Sequence, residues 1–285
     1  MAAVALTAPD QRSTRHGLPG TLRLGLSRVV IELKQFTRIP EQVFFTFLLP
    51  VLFLVIFASV FGGDIDGPPG RSVSFVQYFL PGIIASGVVS STFASLAISI
   101  SVEQGDGLLK RLSGTPLPKA SYLLGKLGLA IVVTAIQTLI MLALGVVAFG
   151  ASFPEGVSRW LVFLTVLVIS AAVGSALGIA YTRAIRNPSA AAAIVQPPFL
   201  VLQFISGIFF PWKDLPGWLQ AIASVFPMRW MAQGFRYAFL PDWFGESEYG
   251  SAWGWERPVM ILAGWLALAV VLALAFFRWD RNTDR

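Results

Sequence analysis

Six long apolar stretches alternate with short polar segments along this chain. A helix needs roughly 20 apolar residues to cross the hydrocarbon core of a bilayer, because its backbone polar groups must be satisfied internally there. The pattern therefore predicts an all-α polytopic membrane protein with six transmembrane helices. The predicted spans cover residues 43–61, 76–102, 122–149, 160–181, 190–210 and 259–277. Pro197-Pro198 predicts a kink in the fifth span.

An amphipathic segment, residues 21–38, precedes the first span. Its apolar side includes Leu26, Val29, Leu33 and Phe36, spaced as on one face of a helix. We interpret this segment as a helix lying in the membrane plane. The alternative is an ordinary amphipathic helix packed on a neighbouring subunit, and the two interpretations are compatible.

The remaining segments divide the chain around the spans. Residues 1–20 and 279–285 are predicted to be cytoplasmic tails, the first of them disordered, and residues 39–278 to form one transmembrane permease domain. Between spans five and six, residues 218–226 follow Leu215-Pro216-Gly217 and are apolar but too short to cross a bilayer. A short re-entrant or interfacial outer helix is expected there.

Composition agrees with this class and excludes several kinds of site. Of 285 residues, 55% are hydrophobic and 13% charged, whereas a soluble domain carries about 25% charged residues. The chain has no cysteine and one histidine, His16, so no thiolate or histidine-based metal site is expected. The net charge of +6 is explained better by membrane topology than by a nucleic-acid partner.

The distribution of basic residues predicts the orientation. Fifteen of the 21 Lys and Arg residues fall in segments on one side if both termini are placed inside, and positive charge accumulates on the cytoplasmic side of membrane proteins. Most of the tryptophans fall in or beside the opposite segments, where indole rings favour the headgroup level. We therefore predict a plasma-membrane protein with N- and C-termini in the cytoplasm.

The spans offer little chemistry of their own. Their deepest polar groups are neutral, and Ser90, Ser95, Gln137 and Gln203 are candidates for lining a substrate path. Hydroxyls also help membrane helices pack, which is the simpler interpretation. The phosphate-binding pattern G-x-x-x-x-G-K-[ST] is missing, so the chain is not expected to be an enzyme or to bind a cofactor. An ion-coupled carrier would need charge at membrane depth, and a lipid-modifying enzyme would need clustered acids or a histidine. Both stay open as alternatives.

Two segments resemble a known family. The inner loop from Glu103 has the sequence EQGDGLLKRLSGTPLP, and the segment from Gln203 has the sequence QFISGIFFPWKDLPGWLQ. They are similar to the inner loop and the outer hairpin of the permease subunits of type-2 ATP-binding-cassette exporters, most of all the daunorubicin-resistance branch of actinomycetes. Phe226 stands where that family typically has asparagine before a proline, which is a departure from its pattern.

The resemblance implies an ATP-driven exporter of a hydrophobic or amphipathic substrate, such as a drug, a polyketide or a lipid-like compound. It implies two permease subunits, here a homodimer, and two separate ATPase subunits that bind ATP and Mg²⁺. Leu108 and Leu112 are spaced i, i+4, which suits a helix inserted into a partner's groove. Carried onto this chain, the docking residues are Glu103, Gly107, Leu108, Arg111, Leu112, Thr115 and Pro116, and the outer hairpin motif is Ser206, Gly207, Pro211, Leu215 and Pro216.

Overall fold

The structure, a computed structural model, describes residues 20–67, 69–248 and 253–277, without the side chains of residues 247 and 248. The predicted tails, residues 1–20 and 279–285, lie outside the described residues apart from residue 20. The described elements are predominantly helical, and they follow the chain in this order: α1 Thr21–Thr37, α2 Pro40–Val60, β1 Asp64–Asp66, β2 Ser72–Ser74, α3 Phe75–Val89, a π-helical turn Ser90–Ala94, α4 Ser95–Gly105, α5 Leu108–Ser113, α6 Lys119–Val147, α7 Gly156–Tyr181, 3₁₀ turns Pro188–Ala190 and Trp212–Asp214 on either side of α8 Ala191–Ile205, α9 Gly217–Val225, α10 Pro227–Phe239, α11 Asp242–Glu248 and α12 Glu256–Phe276.

Within the described ranges, six helical segments are long and apolar enough to cross a bilayer, which confirms the predicted fold class. The second is the longest, because α3, the π-helical turn and α4 continue one another over Phe75–Gly105. The antiparallel β1–β2 hairpin, with Ile65 paired to Val73, joins spans one and two. The sequence pattern did not predict it.

The fifth span is shorter than the sequence predicted. It was expected to reach residue 210, but α8 ends at Ile205. Gly207 has a φ of 74°, a left-handed conformation that glycine adopts without a steric penalty and that commonly terminates helices. The helix continues through both Pro197 and Pro198.

Span two is the centre of the bundle. In its most apolar window 72% of residues are buried, against 17% in α2 and 11% in α12. It contacts α2, α6, α7, α8 and α10, so the other helices surround it. Because most apolar side chains of α2 and α12 are at least partly exposed, lipid or another chain must cover those faces.

Helix α1 lies along α6 rather than apart from the bundle. Close contacts pair Gly25 with Leu124 and Val29 with Gly128, and the Ser121 hydroxyl donates to the Thr21 carbonyl at 2.9 Å. The two helices therefore run side by side in the same direction. Whether α1 also lies in the membrane plane stays a prediction.

A π-helical turn in span two fits against two glycines of α7. Gly174 and Gly178 form the G-x-x-x-G motif, and Thr92 and Phe93 of the π-helical turn occupy the space that their side chains would fill. A Cβ on Gly178 would lie 2.7 Å from the Phe93 carbonyl oxygen. Backbone contact of this kind is the usual function of small residues between membrane helices.

Gly178→Ala should destabilise the protein by about 1–3 kcal/mol, because the added methyl group meets backbone that cannot move aside cheaply. Gly264→Ala is the matched control, since nothing lies within 4 Å of the added Cβ in α12. The measurement is the midpoint of thermal unfolding in detergent. Equal midpoints for the two variants would contradict the close packing.

Candidate functional site

The predicted docking loop contains a short helix fixed to the end of span two. α5 begins after Gly107, whose φ of 70° is left-handed and favours glycine. Leu109 is fully buried and anchors the helix, while Leu108 and Leu112 are half-buried. A Cβ on Gly105 would lie 2.6 Å from Pro188 Cγ, so the end of span two also touches the start of span five.

The predicted docking residues are not all on one surface. Arg111, Thr115 and Pro116 are exposed, and the Thr115 hydroxyl donates to the Leu112 carbonyl at 2.7 Å, which closes the turn after α5. Glu103 instead lies one turn before the loop, within α4, and its side chain points back into the bundle, where it accepts from Tyr122 and Lys126. Glu103 is therefore placed to hold the loop's base rather than to present a surface.

A buried cluster of charges joins three helices at this base. The Lys126 ammonium of α6 lies 2.8 Å from Glu32 of α1 and also contacts Glu103 of α4. Arg28 pairs with Glu32 at 2.9 Å, and the Tyr122 hydroxyl donates to Glu103 at 2.7 Å. Two carboxylates and two cations balance in charge, which is the condition for keeping ionised groups out of water. We refer to these five residues as the ion cluster.

A polar cavity of about 160 Å³ lies against the ion cluster. It is partly open and lies between α1, α2, span two and α6, and its lining includes Glu32, Glu103, Lys126 and Ser95. Of the four candidates for a substrate path, Ser95 lines this cavity, and Ser90 is half-buried at the start of the π-helical turn.

The two glutamine candidates bond within the chain. The Gln137 side chain donates to the Thr46 carbonyl at 3.4 Å, and Gln203 donates to the Ser86 hydroxyl. These contacts join span three to span one and span five to span two. Both glutamines therefore join pairs of helices in the described residues, and of the four candidates the cavity beside the ion cluster includes only Ser95.

The outer hairpin motif encloses two arginines. Arg236 is fully buried, donates to the Gly207 carbonyl and lies with its guanidinium carbon 3.8 Å from the Tyr78 ring centre. Arg229 stacks on Trp212 at the same distance. Ser206 is also buried. Pro211 precedes the 3₁₀ turn Trp212–Asp214. Leu215 and Pro216 then form the turn into α9. Aromatic rings commonly accommodate arginine where water is scarce.

Residues 28–240 of the chain match the family described as ABC-2 type transporter. That match covers the ion cluster, the docking loop and the outer hairpin. This chain belongs to the ABC-2 type transporter family. The resemblance of the inner loop and the outer hairpin to this family is confirmed, and the chain is a multi-pass membrane protein.

Curated relatives of this ABC-2 type transporter chain span most of its length. The Daunorubicin resistance ABC transporter permease protein DrrB1 of Streptomyces coeruleorubidus is 27% identical over 280 residues, which are 96% of this chain and 91% of the relative. The Inner membrane transport permease YadH of Escherichia coli K12 is 25% identical over 222 residues, which are 73% and 80% of the two chains.

Sequence reasoning missed most of the ion cluster. Glu32 lay off the apolar side of the predicted amphipathic helix, and the deepest polar groups of the spans were expected to be neutral, whereas Glu32 and Lys126 are both 2% exposed. A lysine inside an apolar segment was the available signal, because such a residue is expensive in lipid unless paired. Lys126 is seven residues into α6, about 10 Å from its start. The charges of the ion cluster therefore lie near the end of the bundle where α6 begins, and not halfway along the spans.

Lys126→Met should destabilise the protein by about 3–5 kcal/mol, because it leaves two buried carboxylates without their shared cation. Combining it with Glu103→Gln should recover much of the loss, since Glu32 keeps its ion pair with Arg28 and no carboxylate of the cluster then lacks a cation. The midpoint of thermal unfolding in detergent measures both effects. Lys213→Met, at an exposed position, is the control and should change little. A double variant no more stable than the single one would contradict an electrostatic origin.

Proposed function

We propose that this chain is the permease subunit of an ATP-driven exporter and that α5 receives the force of a separate ATPase. The observation that carries the proposal is the position of α5. Its exposed side faces away from the bundle, while the buried side chain of Leu109 anchors it to the bundle. Glu103, five residues before α5, connects the end of span two to α1 and α6 through the ion cluster. A push on α5 would therefore move span two, which contacts most of the other spans.

Such a subunit needs two stable arrangements rather than a reactive side chain. In the described residues no cluster of three or more His, Cys, Asp or Glu side chains could hold a metal ion. The partner ATPase, in two copies, would bind ATP and Mg²⁺ and perform the hydrolysis. This chain would act as a lever.

A second copy of the chain would complete the path. α2 and α8 bury few of their side chains, and both contact span two. Their exposed apolar faces, which include Phe45, Leu49, Leu200 and Phe204, are suited to facing a partner across a central path. A homodimer of permeases with two ATPases is the assembly that we propose.

The cargo would be hydrophobic or amphipathic and would leave across the plasma membrane. The side chains exposed on α2 and α8 are apolar and aromatic, which suits compounds that partition into lipid. One relative, DrrB1, is named for daunorubicin resistance, and we propose cargo of that general chemistry here. The N- and C-termini and α5 would lie in the cytoplasm.

The docking role can be tested with the paired substitution Leu108→Asp and Leu112→Asp. Two carboxylates on the half-buried face of α5 should disrupt a hydrophobic contact with the ATPase and reduce cargo-stimulated ATP turnover at least tenfold. The assay uses the full complex in vesicles. Val157→Asp, an exposed position at the opposite end of the bundle, should leave turnover within about twofold of the parent. Unchanged turnover in the paired variant would contradict docking at α5.

The absence of cysteine allows the orientation to be tested with single introduced thiols. Lys110→Cys in α5 should react with a membrane-impermeant maleimide only after cells are permeabilised. Arg71→Cys, in the loop between spans one and two, should react in intact cells. Both positions are exposed. The reverse labelling pattern would invert the proposed topology.

A further inference from the structure

An apolar groove of about 460 Å³ lies on the side of the bundle formed by α6, α7 and α12. Its volume is within the range of about 300–1,000 Å³ typical of small-molecule sites. Its lining includes Ile131 and Ala135 of α6, Ala172 of α7 and Val270 and Leu274 of α12. This groove is separate from the polar cavity beside the ion cluster.

The groove exists because α6 diverges from α7 while α12 follows it closely. The floor on α7 consists mainly of small side chains, Ala171, Ala172, Ser175 and Ala176. Small residues normally let a second helix approach, but among the described residues no helix fills the space between α6 and α12. The large apolar side chains on its two rims, among them Ile131 and Leu274, are strongly exposed.

The groove extends over about half of the membrane thickness. Its lining on α7 covers residues 167–179, about 18 Å of helix, compared with a hydrocarbon core of about 30 Å. Most of the lining residues belong to the half of the bundle that includes the C-terminus of α7 and the N-terminus of α6, and the rest lie close to the middle of their helices. This depth corresponds to one leaflet.

Two basic residues lie at the ends of helices that line the groove. Lys119 is the first residue of α6, two turns before the lining residue Leu127, which packs in a cluster with Ile179 and Ala273. Arg183 is four residues beyond Ile179, just past the end of α7. Both side chains are exposed, so positive charge stands where an apolar chain in the groove would meet the membrane surface.

We propose that this groove holds an acyl chain of an anionic phospholipid of the cytoplasmic leaflet, with Lys119 and Arg183 binding its headgroup. The depth of the groove, its apolar lining and the positive mouth all match that one molecule. Basic residues at the cytoplasmic surface attract anionic lipid, each by roughly fivefold. The assignment to the cytoplasmic leaflet rests on the proposed orientation, which the thiol-labelling experiment tests separately.

The test compares lipid retention by the full-length chain in detergent. The protein is exchanged into mixed micelles with equal phosphatidylglycerol and phosphatidylcholine, washed, and its retained lipid is counted by mass spectrometry. The parent should retain phosphatidylglycerol preferentially. Ala135→Phe with Ala172→Phe fills the groove and should reduce retention about tenfold, whereas Ala267→Phe, exposed on α12 outside the groove, should not.

Lys119→Gln with Arg183→Gln should keep the acyl chain but remove most of the preference for phosphatidylglycerol. Arg71→Gln, on the opposite side of the membrane, is the matched control and should keep it. Equal retention by the groove-filled variant and the parent would overturn the proposal. So would retention of phosphatidylcholine as readily as phosphatidylglycerol by the parent, or recovery of a non-phospholipid compound in its place.

Discussion

The neutralisation of one buried ammonium holds together the end of the bundle that carries α5. Lys126 reaches Glu32 from α1 and Glu103 from α4, so three helices that are far apart along the chain share a single charge balance. In a low-dielectric interior neither carboxylate nor ammonium can be left alone without a large desolvation penalty. The cluster therefore fixes α1 beside α6 and fixes the end of span two between them. The placement of α5 follows from this constraint, because α5 begins only five residues after Glu103.

Close backbone approach supplies the second constraint. The glycines of α1, α6 and α7 let neighbouring helices pack without intervening side chains, and the π-helical turn of span two fits against Gly174 and Gly178. Its hydroxyls bond to nearby backbone carbonyls, as Thr92 does to Val88 at 2.6 Å. A widened turn leaves backbone groups that must find partners in the absence of water. Span two therefore combines tight packing with a short stretch that is not regular α-helix. This stretch lies at the centre of the bundle, between the predicted docking loop and the predicted outer hairpin.

The bundle exposes two different apolar faces. On one side α2 and α8 expose apolar and aromatic side chains beside span two, and on another α6, α7 and α12 leave a groove one leaflet deep. In the proposed mechanism, a subunit pushed at α5 needs a rigid connection to span two and freedom for the surrounding helices to tilt. The ion cluster supplies the connection. A lipid chain in the groove would let α6 and α12 remain apart without leaving a void, since an unfilled cavity costs packing energy.

The sequence by itself determined the fold class, the six spans, the short helix of the docking loop and the family. These depend on local composition: apolar length sets the spans, and Gly107 with Leu108 and Leu112 defines α5. It overestimated the fifth span, because it gave no weight to the left-handed turn at Gly207, and it did not predict that Glu32 is buried. Only the tertiary structure decided that Glu32, Glu103 and Lys126 meet, that Gln137 and Gln203 bond to neighbouring helices, and that α6 and α12 leave a groove. Each of those depends on which residues come together from distant parts of the chain, and helical periodicity shows which face a side chain occupies but not what it will face.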